Sequence, residues 1–124
     1  MPARVVDASA LAAILFGEPA GGKVTKALGR GPVFAPTLLR YEVGRVCLKK
    51  IRRHRERRTD LLASLELLPR LDIQEVDVPA GEATELAERA GLTVYDAAYL
   101  WLAASLGAEL VTLDERLEAA ARNL

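Results

Sequence analysis

Apolar residues along the chain follow two rhythms, short uninterrupted runs and longer stretches at helical spacing, and the order of these elements predicts the architecture. The run from Ala3 to Val6 reads as a buried strand, followed by an alanine-rich helix from Ser9 to Phe16. Gly17, Glu18 and Pro19 close that helix, because proline cannot continue one and glycine ends one easily. A second helix is expected from Gly22 to Leu28, then a break at Gly29 to Pro32 and a short strand at Val33 to Ala35. Leu39, Val43, Val46 and Ile51 recur near helical spacing, with Thr37 close to the start. Another helix spans Asp60 to Leu68 and stops at Pro69, while Leu71 to Val78 alternates at period two and reads as a more exposed strand. Helices from Glu82 to Ala90 and from Tyr95 to Leu106 each end at a glycine, and a last strand, Glu109 to Leu113, leads into a final helix. Strands alternating with helices imply βαβ units with right-handed crossovers. The expected fold is a three-layer α/β/α sandwich around a short, mainly parallel sheet, with residues 1–124 forming one domain.

Composition narrows the class. With 51% hydrophobic and 27% charged residues over 124 positions, the chain can bury a core of its own. No apolar run approaches the ~20 residues a bilayer requires, and the N-terminus enters a strand without a charged and apolar leader, so a cytoplasmic protein is expected. Cys47 is the single cysteine, which excludes an intramolecular disulfide and a thiolate zinc site; between Val46 and Leu48 it reads as a small buried hydrophobe. Seventeen basic and seventeen acidic residues cancel, yet Lys49 to Arg58 gathers positive charge mid-chain. Neutrality therefore conceals a basic segment.

Four acids stand where an α/β topology could bring them together. Asp7 and Asp114 each follow a strand and precede a helix, Glu42 lies inside a long helix, and Asp96 lies in the first turn of another. Each has a plainer reading. Asp7 could cap the next helix, as could Ser9. Glu42 could pair with Arg45 on a helix surface. Thr93 with Asp96, and Thr112 with Glu115, have capping-box spacing, which leaves Asp114 to cap or to face the sheet edge. The coincidence of all four at positions that can share one crevice favours a site. Carboxylate oxygens suit Mg²⁺ or Mn²⁺, hard cations that keep several waters. Crowded carboxylates should have raised pKa values until a cation restores the balance. The chemistry such a site supports is phosphodiester hydrolysis.

The segments VVDASAL around Asp7, RYEVGRV around Glu42, and LTVYDAAYLWLAASLGAELVTLDERL around Asp96 and Asp114 resemble PIN-domain ribonucleases, specifically VapC-type toxins. That resemblance spans essentially the whole chain. It implies that Asp7, Glu42, Asp96 and Asp114 form a Mg²⁺ or Mn²⁺ site, with Asp7, Asp96 and Asp114 as ligands and Glu42 orienting water or a second ion. It also implies hydroxyl support from Ser9 and Thr112, RNA as substrate, a homodimer, and a VapB-type antitoxin whose C-terminal segment blocks the groove. Glu115 is the nearest candidate for a further, variable acid.

Arg45 and Lys49 continue the helix stripe of Glu42 and would hold RNA phosphates along the same groove. The later charges, with His54 among them, read as a solvated face, and Tyr95, Tyr99 and Trp101 as core or dimer packing. Two alternatives remain. One is a catalytically silent PIN-like module that binds RNA or a protein. The other is phosphoryl transfer through an aspartyl-phosphate, which is disfavoured because Ser9 stands where a second Asp would be needed.

Overall fold

The computed structural model describes all residues, 1–124. Four strands, β1 (Arg4–Val6), β2 (Val33–Pro36), β3 (Ile73–Val76) and β4 (Glu109–Val111), form one sheet in the order β3-β2-β1-β4. Every pairing is parallel. Six helices connect them, α1 (Ala8–Leu15), α2 (Gly21–Leu28), α3 (Leu39–Arg53), α4 (Arg58–Leu65), α5 (Ala80–Ala90) and α6 (Val94–Leu106), and a seventh, α7 (Glu115–Arg122), follows β4.

From β1 the chain passes through α1 and α2 to β2, and through α3 and α4 to β3, moving the same way across the sheet each time. It then returns through α5 and α6 to β4, on the far side of β1. With right-handed crossovers, a reversal of direction puts the returning helices on the opposite face. Accordingly α1 packs on α2 and α3, and α3 on α4, while α6 packs on α5 and α7 and crosses β1, β2 and β4. The result is the three-layer sandwich expected from the sequence.

The central strand is the driest part. Val5 and Val6 are fully buried, in one core cluster with Leu11 and Val43 from one helical group and Leu100 and Leu102 from the other. The strand β3, at the sheet edge, has no fully buried residue, in keeping with its alternating sequence. Helix α2 sits close on α1 because Gly21 lacks a side chain: a Cβ there would stand 2.7 Å from the carbonyl oxygen of Ala13. Boundaries differ from expectation mainly around α4, which ends at Leu65; a separate 3-10 turn, Leu68–Arg70, carries Pro69. Proline fits the first turn of a new helical segment better than the interior of an old one.

Candidate functional site

Because the winding reverses between β1 and β4, the carboxyl ends of these neighbouring strands open a crevice, the usual ligand position in parallel α/β sheets. Asp7 is the first residue beyond β1 and Thr112 the first beyond β4. Asp7 is only 5% exposed. Its Oδ1 accepts the backbone N–H of Ala10 at 3.0 Å, capping α1, and the hydroxyl of Ser9 at 2.8 Å. Its Oδ2 accepts the hydroxyl of Thr112 at 2.5 Å.

The hydroxyls carry the network onward. Ser9 Oγ accepts the N–H of Leu113, and Thr112 Oγ1 accepts the N–H of Asp114, both at 3.0 Å. Asp114 Oδ1 caps α7 through the N–H groups of Arg116 and Leu117, at 2.9 and 3.1 Å. The capping box anticipated between Thr112 and Glu115 is therefore not formed. Asp114 is the cap, and Thr112 turns back to Asp7 across the sheet. The one between Thr93 and Asp96 forms by half: Thr93 Oγ1 accepts the N–H of Asp96 at 3.1 Å, leaving the Asp96 carboxylate for the crevice.

Glu42, from the first turn of α3, and Asp96, from the first turn of α6, close the other side, and both are half-buried. Burial raises the pKa of Asp7 despite its three hydrogen bonds, and Asp96 adds to the effect. Burial likewise raises Glu42, with Asp96 and Asp7 contributing. Asp96 is raised by burial and then by Asp114, against the opposing pull of Thr93, Arg116 and Arg45. The four acids named from the sequence are thus linked through Asp96, which acts on Asp7 and Glu42 and is itself acted on by Asp114.

Comparison with known proteins decides the family. The family model described as "PIN domain" matches residues 4–123. Ribonuclease VapC3 of Pyrobaculum aerophilum is 34% identical over 118 residues, covering 91% of this chain and 90% of that protein. The chain belongs to the PIN-domain family. The crystal structure of PAE2754 from the same organism superposes with a TM-score of 0.78 at 32% identity, covering 98% of this chain and 86% of that one. Mycobacterium tuberculosis VapC20, described as a toxin that cleaves the sarcin-ricin loop, shares the fold with a TM-score of 0.67 at 18% identity, over 94% of each chain.

In this PIN domain no three acidic groups converge to a common ligating distance. The donors are oxygens only, carboxylate and hydroxyl, which suits a hard cation. Mg²⁺ is bound through one or two carboxylates plus waters rather than in a dehydrated protein cage, so an open set of mutually repelling carboxylates fits a hydrated ion.

Sequence reasoning gave no site role to two residues here, Tyr99, which it read as packing, and Arg116. The Tyr99 hydroxyl is buried without a hydrogen bond of ordinary geometry, and it lies close enough to Glu42 that burial and this carboxylate together hold it protonated. Its position three residues after Asp96 on the same helix was a signal for that placement. Arg116 donates to the Gly91 carbonyl at 2.7 Å and offsets the charge of Asp96. Of the two basic residues proposed for RNA, Arg45 is exposed and acts on both Glu42 and Asp96. Lys49 is exposed one turn further out and is not among the groups that shift the acids.

Proposed function

We propose that this PIN domain is a metal-dependent endoribonuclease, the toxin of a VapBC-type toxin-antitoxin pair. The observation that carries the reading is the gathering of Asp7, Glu42, Asp96 and Asp114, from four separate elements, at the switch point of the sheet, where burial and neighbouring carboxylates raise the pKa values of Asp7, Glu42 and Asp96. A cluster kept at that cost has a use for positive charge. The name of the ribonuclease relative and the toxin among the structural relatives support the same activity.

In this reading Asp7, Asp96 and Asp114 hold Mg²⁺ or Mn²⁺, and Glu42 orients a water or a second ion. When bound, the cation supplies charge for the phosphoryl oxygens and lowers the pKa of water. Ser9 and Thr112 fix the Asp7 carboxylate through its two oxygens. Arg45, and Lys49 beyond it, neutralise RNA phosphates, so binding should weaken with salt. The partners are an RNA, a cognate VapB-type antitoxin and a second copy of the chain, in the cytoplasm.

One observation favours a silent PIN-like module instead: Asp7 and Asp114 already cap helices, which gives both a structural use. Incubating end-labelled total RNA with the purified protein in Mg²⁺, Mn²⁺ or EDTA separates the readings, with Asp96→Asn prepared identically. Discrete fragments that need metal and vanish in the variant are expected. RNA binding without cleavage under either metal would leave the silent module standing.

A further inference from the structure

Two of the three tyrosines are left out of the core. Tyr41 is 77% exposed and Tyr95 60%, whereas Tyr99 is buried. The Trp101 indole is half-buried, its N–H donating to Glu82 at 3.3 Å. Each exposed tyrosine stands immediately before a crevice acid, Tyr41 before Glu42 and Tyr95 before Asp96. Successive residues on a helix diverge by about 100°, so each ring lies beside its neighbouring carboxylate rather than behind it. One ring belongs to α3 and the other to α6, the two helices that bring Glu42 and Asp96 to the crevice.

The α3 wall supplies an independent observation. Tyr41, Gly44, Arg45 and Leu48 line an open, largely apolar groove of about 600 Å³ against Leu65 and Pro69, with Glu66 its one acidic lining residue. Gly44 sits inside the helix without a positive φ, and a Cβ there would meet nothing within 4 Å. Neither packing nor backbone geometry calls for glycine, which weakens a helix. Its effect is to leave the groove beside Tyr41 without a side chain in its floor. Arg45 joins this groove to the acids and forms no ion pair of its own.

We propose that Tyr41 and Tyr95 are stacking platforms for unpaired RNA bases on the two sides of the phosphodiester presented to the acids, with Gly44 leaving room for the base on the α3 side. This rests on the ribonuclease reading and adds the residues that select the state of the substrate. A base inside a duplex is already stacked, so only a single strand, loop or bulge can offer its face to a tyrosine. Aromatic stacking tolerates any base, so the pair selects strandedness rather than sequence. A free arginine between the groove and the acids suits a phosphate-bearing occupant better than an apolar peptide.

The test is fluorescence anisotropy with a short, mixed-sequence, fluorescein-labelled RNA, single-stranded or annealed to its complement. Variants are built on Asp96→Asn to prevent cleavage and repeated on the wild-type chain for steady-state kinetics. Alanine at Tyr41 or Tyr95 should weaken single-strand binding roughly 10-fold and raise KM more than it lowers kcat. Phenylalanine at either position should stay near the parent, because the ring rather than the hydroxyl stacks. The annealed RNA should bind weakly to every variant and be insensitive to the tyrosines. Alanine variants that bind the single strand like the parent, phenylalanine variants as weak as alanine, or equal losses on the duplex would each overturn the proposal. If the wild-type chain cleaves RNA while the tyrosines prove indifferent, stacking fails alone and a protein segment becomes the occupant of the groove. If it neither cleaves nor binds RNA, the ribonuclease reading fails with it.

Discussion

The two sides of the crevice are built on opposite principles. On the sheet side, Asp7, Ser9, Thr112 and Asp114 form a continuous hydrogen-bonded run that also starts α1 and α7. On the helix side, no hydrogen bond of ordinary geometry reaches the carboxylates of Glu42 or Asp96, although the hydroxyls of Tyr99 and Thr93 stand near enough to pull on them. The first half is held by interactions that favour the fold. The second keeps polar groups underused in a partly dry site, which costs stability unless a ligand completes them. Stability and function should therefore respond to mutation in opposite order on the two sides.

The helix-side acid offers the largest effect. Asp96→Asn removes a charge that repels Asp7, Glu42 and Asp114, while the N–H of residue 96 keeps its bond to Thr93. Metal-dependent cleavage should fall by roughly 10²–10³-fold, the scale for losing one group aligned to transition-state charge. The melting temperature without metal should not fall and is expected to rise, by scanning calorimetry in EDTA. A variant that melts well below the wild type would make Asp96 a structural residue and dissolve the contrast.

Asp7→Ala should do the reverse to the fold. It removes the α1 cap and leaves the hydroxyls of Ser9 and Thr112 without their acceptor. Loss of a cap costs about 1 kcal/mol, and an orphaned buried donor a similar amount, for a total near ~2 kcal/mol by urea unfolding. Asp7→Asn keeps a capping oxygen and should lose less than half of that. Both variants should be inactive, so activity alone cannot distinguish the halves; the unfolding curves do.

Local chemistry was readable from the sequence, and contacts between distant segments were not. Gly91 and Gly107 end α5 and α6 with positive φ, and Asp7 marks the start of α1, because caps act within a turn or two. Capping does not use up Asp7, since one oxygen caps while the other meets Thr112 across 105 positions. Thr112 and Glu115 had the spacing of a cap, but Asp114 takes the cap position two residues later and accepts from the N–H groups of Arg116 and Leu117. The stripe of Tyr95 and Tyr99 looked uniformly like packing, although burial takes only Tyr99, because helical phase does not reveal where a helix emerges from its neighbours. Four acids at element ends were legible as a set because a parallel topology gathers strand ends whatever the details.

Metal and pH probe the contrast at intermediate strength. Asp7, Glu42 and Asp96 have folded pKa values above their unfolded ones, so between those values the native state holds more protons and stability declines as pH rises. The decline begins in the ordinary carboxylate range and ends once the raised values are passed. In EDTA the melting temperature should therefore drop across that interval in the wild type, and less so in Asp96→Asn. Mg²⁺ at ten times its Kd should return about 1.4 kcal/mol at neutral pH and little under acidic conditions, where protons compete for the same oxygens. A melting curve indifferent to both Mg²⁺ and Mn²⁺ would count against any cation at this site.

The smallest expected effect is also the sharpest test of the helix side, since it separates stability from binding within one methyl group. Gly44 lies mid-way along α3, has room for a Cβ, and lines the groove beside Tyr41. Gly44→Ala should stabilise the chain by up to about 1 kcal/mol, through helix propensity and a less flexible unfolded state. If the groove receives a base, the same methyl group narrows it, and single-stranded RNA should bind more weakly even as the melting temperature rises. A second variant, Gly44→Gln, should deepen the binding loss while keeping most of the gain in helix propensity. Should both variants gain stability and bind RNA as before, the groove lies off the path of the strand, and the glycine would have no use that these contacts explain.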